Sequence, residues 1–290
     1  MSADAQPYLL PNSPATAAAD AEVAESRAKV PGIGAHRRPN PTGLSQWWAL
    51  TARAVAQQFR NGTILISVLA PFITGLGFYL PLKYIMKFQG IDYAQFILPI
   101  VVLQSMSYTV MNIANTAARE SVTGLTARMQ TMPVASLAPL MSRISVGVVQ
   151  SLVSLAAATA FGYLIGFRFT GNWLTIVLFC LVALVFATVL SFGADMIGCL
   201  TRSPEATAQA LTLPQLILGM MSCGFVPESG FPEWVRPFVR NQPVSQYSFA
   251  LRDLAEGHIN WNILFPSFMW TVGLAVVLIP MALWASTRRK

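Results

Sequence analysis

Histidine, cysteine and acidic side chains carry most enzyme chemistry, and in this chain they form none of the familiar catalytic or metal-binding motifs. Its two histidines are His36 and His258. Its three cysteines, Cys180, Cys199 and Cys223, lack CxxC spacing and suggest neither a zinc site nor a disulfide framework. There is no GxxxxGK[ST] to cradle a nucleotide, and no HExxH, GxSxG or GxGxxG. Asp195 sits at the end of an apolar stretch, and no acid lies in the middle of one. A proton- or sodium-driven carrier would want such a carboxylate. The chain is therefore expected not to be an enzyme, with no catalytic residue, no metal ligand and no cofactor of its own. What remains is polar groups at helical spacing in apolar sequence. Gln104, Tyr108, Asn112 and Asn115 share one face, as do Thr212, Gln215, Gly219 and Ser222, and Gln150 and Ser154. Amides and hydroxyls so placed either join neighbouring helices or line a translocation path or subunit face.

The surrounding sequence is built for a bilayer. Of 290 residues, 54% are hydrophobic and 11% charged, and the mean hydropathy is +0.54. An ordinary soluble domain is about 25% charged. Six apolar stretches follow one another, at about 63–82, 94–115, 144–166, 173–194, 210–226 and 263–286. Crossing about 30 Å of hydrocarbon takes about 20 helical residues. Five stretches meet that length and the fifth is borderline. Pro71, Pro99, Pro214 and Pro280 lie inside them, where spanning helices tolerate proline. The expected fold is all-α and polytopic, with six transmembrane helices.

Three connecting pieces are amphipathic. In Trp47–Arg60, Trp48, Ala52, Val55 and Phe59 share a face, as in a helix lying in the membrane interface. Thr116–Thr131 carries Ala118, Val122, Leu125 and Met129 on one face, a short cytoplasmic helix ended by Met132-Pro133. Between the last two spans, Pro232, Pro237 and Pro243 divide an aromatic segment into short pieces. Within it, Val244–Glu256 reads as a helix stopped by Gly257. These pieces are expected to re-enter the membrane beside the short fifth span.

Charge sets the orientation. With the N terminus inside, thirteen of the nineteen Lys and Arg residues fall on the cytoplasmic side. The outer side holds Lys83, Lys87, Arg168, Arg236, Arg240 and Arg252. Both termini are expected in the cytoplasm, and the protein in the plasma membrane. The net charge of +7 is topological, and no dense basic face points to nucleic acid. Residues 1–44, rich in Ala, Pro and Ser, read as a disordered cytoplasmic tail without a signal-peptide pattern. Residues 45–290 form the membrane domain.

These pieces, in this order, resemble the permease subunits of ABC exporters with an ABC transmembrane type-2 domain, of the daunorubicin-resistance kind. Arg119-Glu120-Ser121-Val122-Thr123-Gly124-Leu125-Thr126-Ala127-Arg128 through Thr131-Met132-Pro133-Val134 resembles the family's cytoplasmic coupling helix. Gly166-Phe167-Arg168-Phe169 resembles its outer turn after the third span. Gly224-Phe225-Val226-Pro227, Phe231-Pro232-Glu233-Trp234-Val235-Arg236-Pro237-Phe238 and Asn241-Gln242-Pro243 resemble its segment before the last span. Many relatives have Asn-Pro where this chain has Asn-Gln-Pro. The resemblance implies an exporter permease for a lipid or amphipathic drug, paired with an identical or sister permease. It implies a pair of cytosolic P-loop ATPase subunits that bind ATP and Mg. Arg119, Glu120, Gly124, Arg128 and Pro133 would couple to them. Phe231, Pro232, Trp234, Pro237, Phe238, Asn241 and Pro243 would form an outer gate. The competing reading is a stand-alone carrier or channel driven by an ion gradient.

Overall fold

The computed structural model describes residues 43–88, 92–123, 137–201 and 203–288. Every regular element among them is helical. The first helix, α1, is Gly43–Arg60. Trp47 Nε1 donates to Ser145 Oγ at 3.0 Å, which holds this helix to α4 (Ala138–Ile165). Trp47, Thr51, Ala54 and Gln58 form its inner face, whereas Trp48 and Phe59 are exposed. The apolar stripe seen in the sequence thus points away from the bundle, where a bilayer would cover it.

The long helices are α2 (Thr63–Phe88), α3 (Tyr93–Val122), α4, α5 (Trp173–Leu200) and α9 (Trp261–Arg288). These five are long and apolar enough to cross a membrane. Their starts are capped by sequence: Asp92 accepts from Ala94 N–H, and Asn172 from Trp173 N–H. The central helix is α3, packed against α2, α4, α5 and α6 (Pro204–Met220). Ile97, Leu98, Ile100, Val101 and Val102 along it are fully buried. By contrast α2 and α9 bury little within the chain, and Leu65, Ile73, Phe265 and Val276 lie open. Side chains of this kind suit lipid or a second helix surface.

Three expectations are corrected. The stretch at 94–115 does not end before a separate helix at 116–131. Instead α3 runs on to Val122, because Ala117 and Ala118 stay buried and continue its inner face. Thr123 caps it, donating through both its N–H and its hydroxyl to Arg119 C=O. The later part of that proposed helix, with Gly124, Arg128 and Pro133, lies outside the described residues, as does the tail at 1–42. The fifth stretch, expected at 210–226, is shifted. Ser203 caps α6 by accepting from Ala206 N–H, Pro204 opens it, and it ends at Met220. At 17 residues it is about 25 Å long, short of a full crossing. Lys83 and Lys87, assigned to a connection, lie on the last turns of α2.

After α6 the chain makes a 3₁₀ turn at Glu228–Gly230, then α7 (Arg236–Asn241) and α8 (Pro243–Ala255). The helix read at Val244–Glu256 is α8, displaced by one residue. Gly257 follows it with φ of 89°, a left-handed conformation that favours glycine.

Candidate functional site

The polar groups gather at opposite ends of the bundle. At the end where α3 and α5 finish and α4 begins, one guanidinium holds three helices. Arg143 on α4 donates from Nε to Asp195 Oδ1 at 2.5 Å and from Nη2 to Asp195 Oδ2 at 3.1 Å. Its Nη1 donates to Glu120 Oε2 at 2.9 Å. Cys199, one turn beyond Asp195, brings its Sγ within 3.7 Å of both partners. The two arms differ. Asp195 is 1% exposed and takes the planar fork of Arg143 with both oxygens, the geometry for which arginine is suited. Glu120 is 26% exposed and held by one bond, so it is the arm that opens at lower cost.

Neither Arg143 nor Asp195 stood out in the sequence as a site residue. Arg143 served only as a topological charge, and Asp195 only as a helix-end acid. Their separation of 52 positions leaves no local motif. The available signal was a lone arginine and a lone aspartate, each at the edge of an apolar stretch, where unpaired charge is costly. Glu120 was singled out for coupling, and Arg119 beside it is exposed.

The stripe on α3 faces α6. A side chain added at Gly219 would meet Gln104 Oε1 at 3.0 Å. Tyr108 is 39% exposed, Asn112 is half-buried, and Asn115 Oδ1 is buried with no hydrogen-bond partner. On α6, Thr212 is exposed and Gln215 half-buried. Ser222 is fully buried beyond the helix end and donates to Gly219 C=O, so it does not join that strip. On α4, Gln150 donates to Ser67 Oγ at 2.6 Å and ties α2 to α4.

At the opposite end, α7 and α8 are riveted to the bundle. Gln242, 4% exposed, donates from Nε2 to the carbonyls of Leu218 and Met221 at 3.1 and 2.5 Å. Those carbonyls lie at the end of α6, where helical partners run out. Ser245 Oγ accepts from Cys223 N–H at 2.9 Å. Trp270 Nε1 donates to Asn241 C=O, and Tyr247 pairs with Thr271 Oγ1, fixing α7 and α8 to α9. Arg252 donates to Phe96 C=O and stacks on the Phe96 ring, with 3.7 Å from guanidinium carbon to ring centroid. Burial pushes the Tyr247 phenol up. Of the proposed gate aromatics, Phe231 packs toward Cys223, Val235 and Val239, whereas Trp234 is 85% and Phe238 54% exposed. Pro232, Pro237 and Asn241 are also exposed, and Pro243 opens α8.

The role of Gln242 follows from what it holds. Gln242→Leu strips the buried end of α6 of its amide donor, at about 1–3 kcal/mol for each carbonyl left unsatisfied. Hydrogen exchange over 216–225 is expected to accelerate at least tenfold, and unchanged protection would refute that role. Among the described residues, no three His, Cys, Asp or Glu side chains come together to hold a metal ion.

Residues 80–284 match the family described as ABC-2 family transporter protein. The chain belongs to the ABC-2 transporter family. This ABC-2 chain is 39% identical over 247 residues to the doxorubicin resistance ABC transporter permease protein DrrB of Mycobacterium tuberculosis, covering 80% of this chain and 86% of that one. It is 28% identical to the probable doxorubicin resistance permease DrrC of the same organism, over 64% of this chain and 68% of that one. It is also 28% identical to the daunorubicin resistance permease DrrB1 of Streptomyces coeruleorubidus, over 64% of this chain and 62% of the relative. The family match takes in α3–α8 whole, and with them both polar ends of this ABC-2 chain.

Proposed function

We propose that this chain is the membrane permease subunit of an ATP-driven exporter, moving an amphipathic drug or a lipid across the plasma membrane. The observation that supports this best is the Arg143 hub. It clamps the exit of α3 and the entry of α4, the two ends of the segment from 123 to 137. A force applied to that segment by a docked ATPase is delivered to α3, α4 and α5 together. Arg119, Glu120, Gly124, Arg128 and Pro133 are the residues assigned to that docking. ATP and Mg are bound by the ATPase pair, and a second permease chain completes the pathway. In this reading α6 and the turn after it together make the fifth of six crossings, and the basic bias puts both termini in the cytoplasm. The polar strip from Gln104 to Asn115, facing α6, lines the path or the permease pairing face. The relatives' names, which specify doxorubicin and daunorubicin resistance, support a drug as cargo.

The test is co-purification. The tagged chain, taken gently from its native membrane, is expected to bring down a P-loop ATPase at near-stoichiometric amount. Mass spectrometry of that sample also shows whether a second permease accompanies it. A stable chain that emerges without any ATPase would sink the exporter reading in favour of a gradient-driven carrier.

A further inference from the structure

A cavity of about 890 Å³ opens among α7, α8 and the first turns of α9. Its walls carry seven ionisable side chains: Glu228, Glu233, Arg236, Arg240, Arg252, Asp253 and Glu256. Opposite charges sharing a wall usually collapse into ion pairs. Here Arg236 and Glu233, 3.9 Å apart, are the one pair among these seven described side chains. Arg252 has no carboxylate within ion-pair distance. One of its five donors goes to Phe96 C=O, and its Nε is sealed from solvent without an acceptor. Burial pulls it down to about 10, so it stays charged at neutral pH. Asp253 is committed to the backbone N–H of Asn260. Glu233 at 91% and Glu256 at 52% exposed sit further out, as does Arg240, whereas Glu228 is half-buried.

The cavity therefore offers partly buried positive charge within and acidic groups at its edge. A ligand with an anion and a cation a few ångströms apart satisfies both. The third wall says what else that ligand carries. Phe249, Ile263 and Pro266 line it. Ile263 and Pro266 lie in the first turns of a spanning helix, at the depth of lipid headgroups. Exposed Trp234 and Trp261 mark the same end, as interfacial tryptophans do. From there Phe265, Phe268 and Met269 continue along α9 toward its middle as an open apolar face fit for acyl chains.

We propose that this cavity binds the headgroup of a zwitterionic phospholipid, with the phosphate on Arg252 and Arg240 and the ammonium at Glu256 and Glu233. The site stands apart from the exporter reading, since binding requires neither ATPase nor transport. The test uses the full chain, delipidated in a non-ionic detergent and offered an equimolar mixture of dilauroyl phosphatidylethanolamine, dilauroyl phosphatidylglycerol and dodecylamine. Native mass spectrometry reads what one chain retains. The expected result is about fivefold preference for the ethanolamine lipid, reduced about tenfold in retention by Arg252→Gln, the scale of one lost charge-assisted hydrogen bond. Because Arg252 also braces α8 against α3, the exposed Arg240→Gln is the second variant. It is expected to lower retention about threefold, with unchanged helix content by circular dichroism. Equal retention of all three probes overturns the proposal. So does a preference for phosphatidylglycerol or dodecylamine, which would make the cavity a simple anion or cation site. Retention that neither arginine variant alters also overturns it.

Discussion

Arg143→Met is expected to destabilise the chain by about 3–5 kcal/mol, lowering its thermal midpoint in detergent by about 10 °C. The cost comes from the carboxylates left behind. Asp195 is 1% exposed and would lose both bonds to the guanidinium, and Glu120 would lose its one. Asp195→Ala should cost nearly as much, because it strands Arg143, 10% exposed, with only the outer Glu120. Arg143→Lys should recover less than half, since an ammonium cannot bond both oxygens of Asp195 and still reach Glu120 in a planar fork. The triple variant Arg143→Met, Asp195→Leu, Glu120→Gln should regain most of the stability, because it removes the buried charges together. It should nonetheless fail in transport if the hub transmits the motion of the ATPase. Scanning fluorimetry on the four proteins checks the first part. A single Met variant as stable as the parent would show that the cluster holds nothing together.

The second large effect lies one turn away, where α3 and α5 pack closest. A Cβ at Gly198 would collide with the carbonyl oxygen of Ala114 and stand 2.9 Å from its carbon. Those are backbone atoms of the central helix and cannot swing aside as a side chain would. Gly198→Val therefore has to push α5 away from α3, at about 3 kcal/mol or more. Because the same turns carry Asp195 and Cys199, the displacement also loosens the Arg143 pair. The expected outcome is a loss of most monodisperse protein on detergent size exclusion. Gly77→Val and Gly273→Val are the controls, for nothing lies within 4 Å of a Cβ at either position. Equal yields for all three would remove the close contact from the account.

Much of this architecture was legible in the order of residues. Most of the long apolar runs, the glycine stop after α8 and the proline-cut segment before α9 fall where length and local chemistry place them. The family resemblance, carried by short motifs of fixed order, led to the same grouping as the comparison with known proteins. What stayed illegible was anything decided between distant positions. Polarity at Asn115 and Thr116 suggested an ended span, but Ala117 and Ala118 face the core and carry α3 two further turns. The end of α6 is set by Gln242, which lies 21 residues beyond Met221. The extra glutamine in Asn-Gln-Pro was visible as a departure, and its donors explain it. The apolar stripe of α1 was read correctly as a stripe, yet its inner side is the more polar one, anchored by Trp47 and Thr51.

The order of synthesis gives the Arg143 cluster a sequence of events. Glu120 precedes Arg143 by 23 positions, and Asp195 follows it by 52. Growing chains emerge N-terminal end first, at about 5–20 residues per second. A nascent hairpin of α3 and α4 thus carries its own counter-ion for seconds before α5 leaves the ribosome. Glu120 is the carboxylate available to the guanidinium until Asp195 arrives with α5. A chain lacking Glu120 is therefore expected to meet its difficulty during insertion, while α5 is still being made.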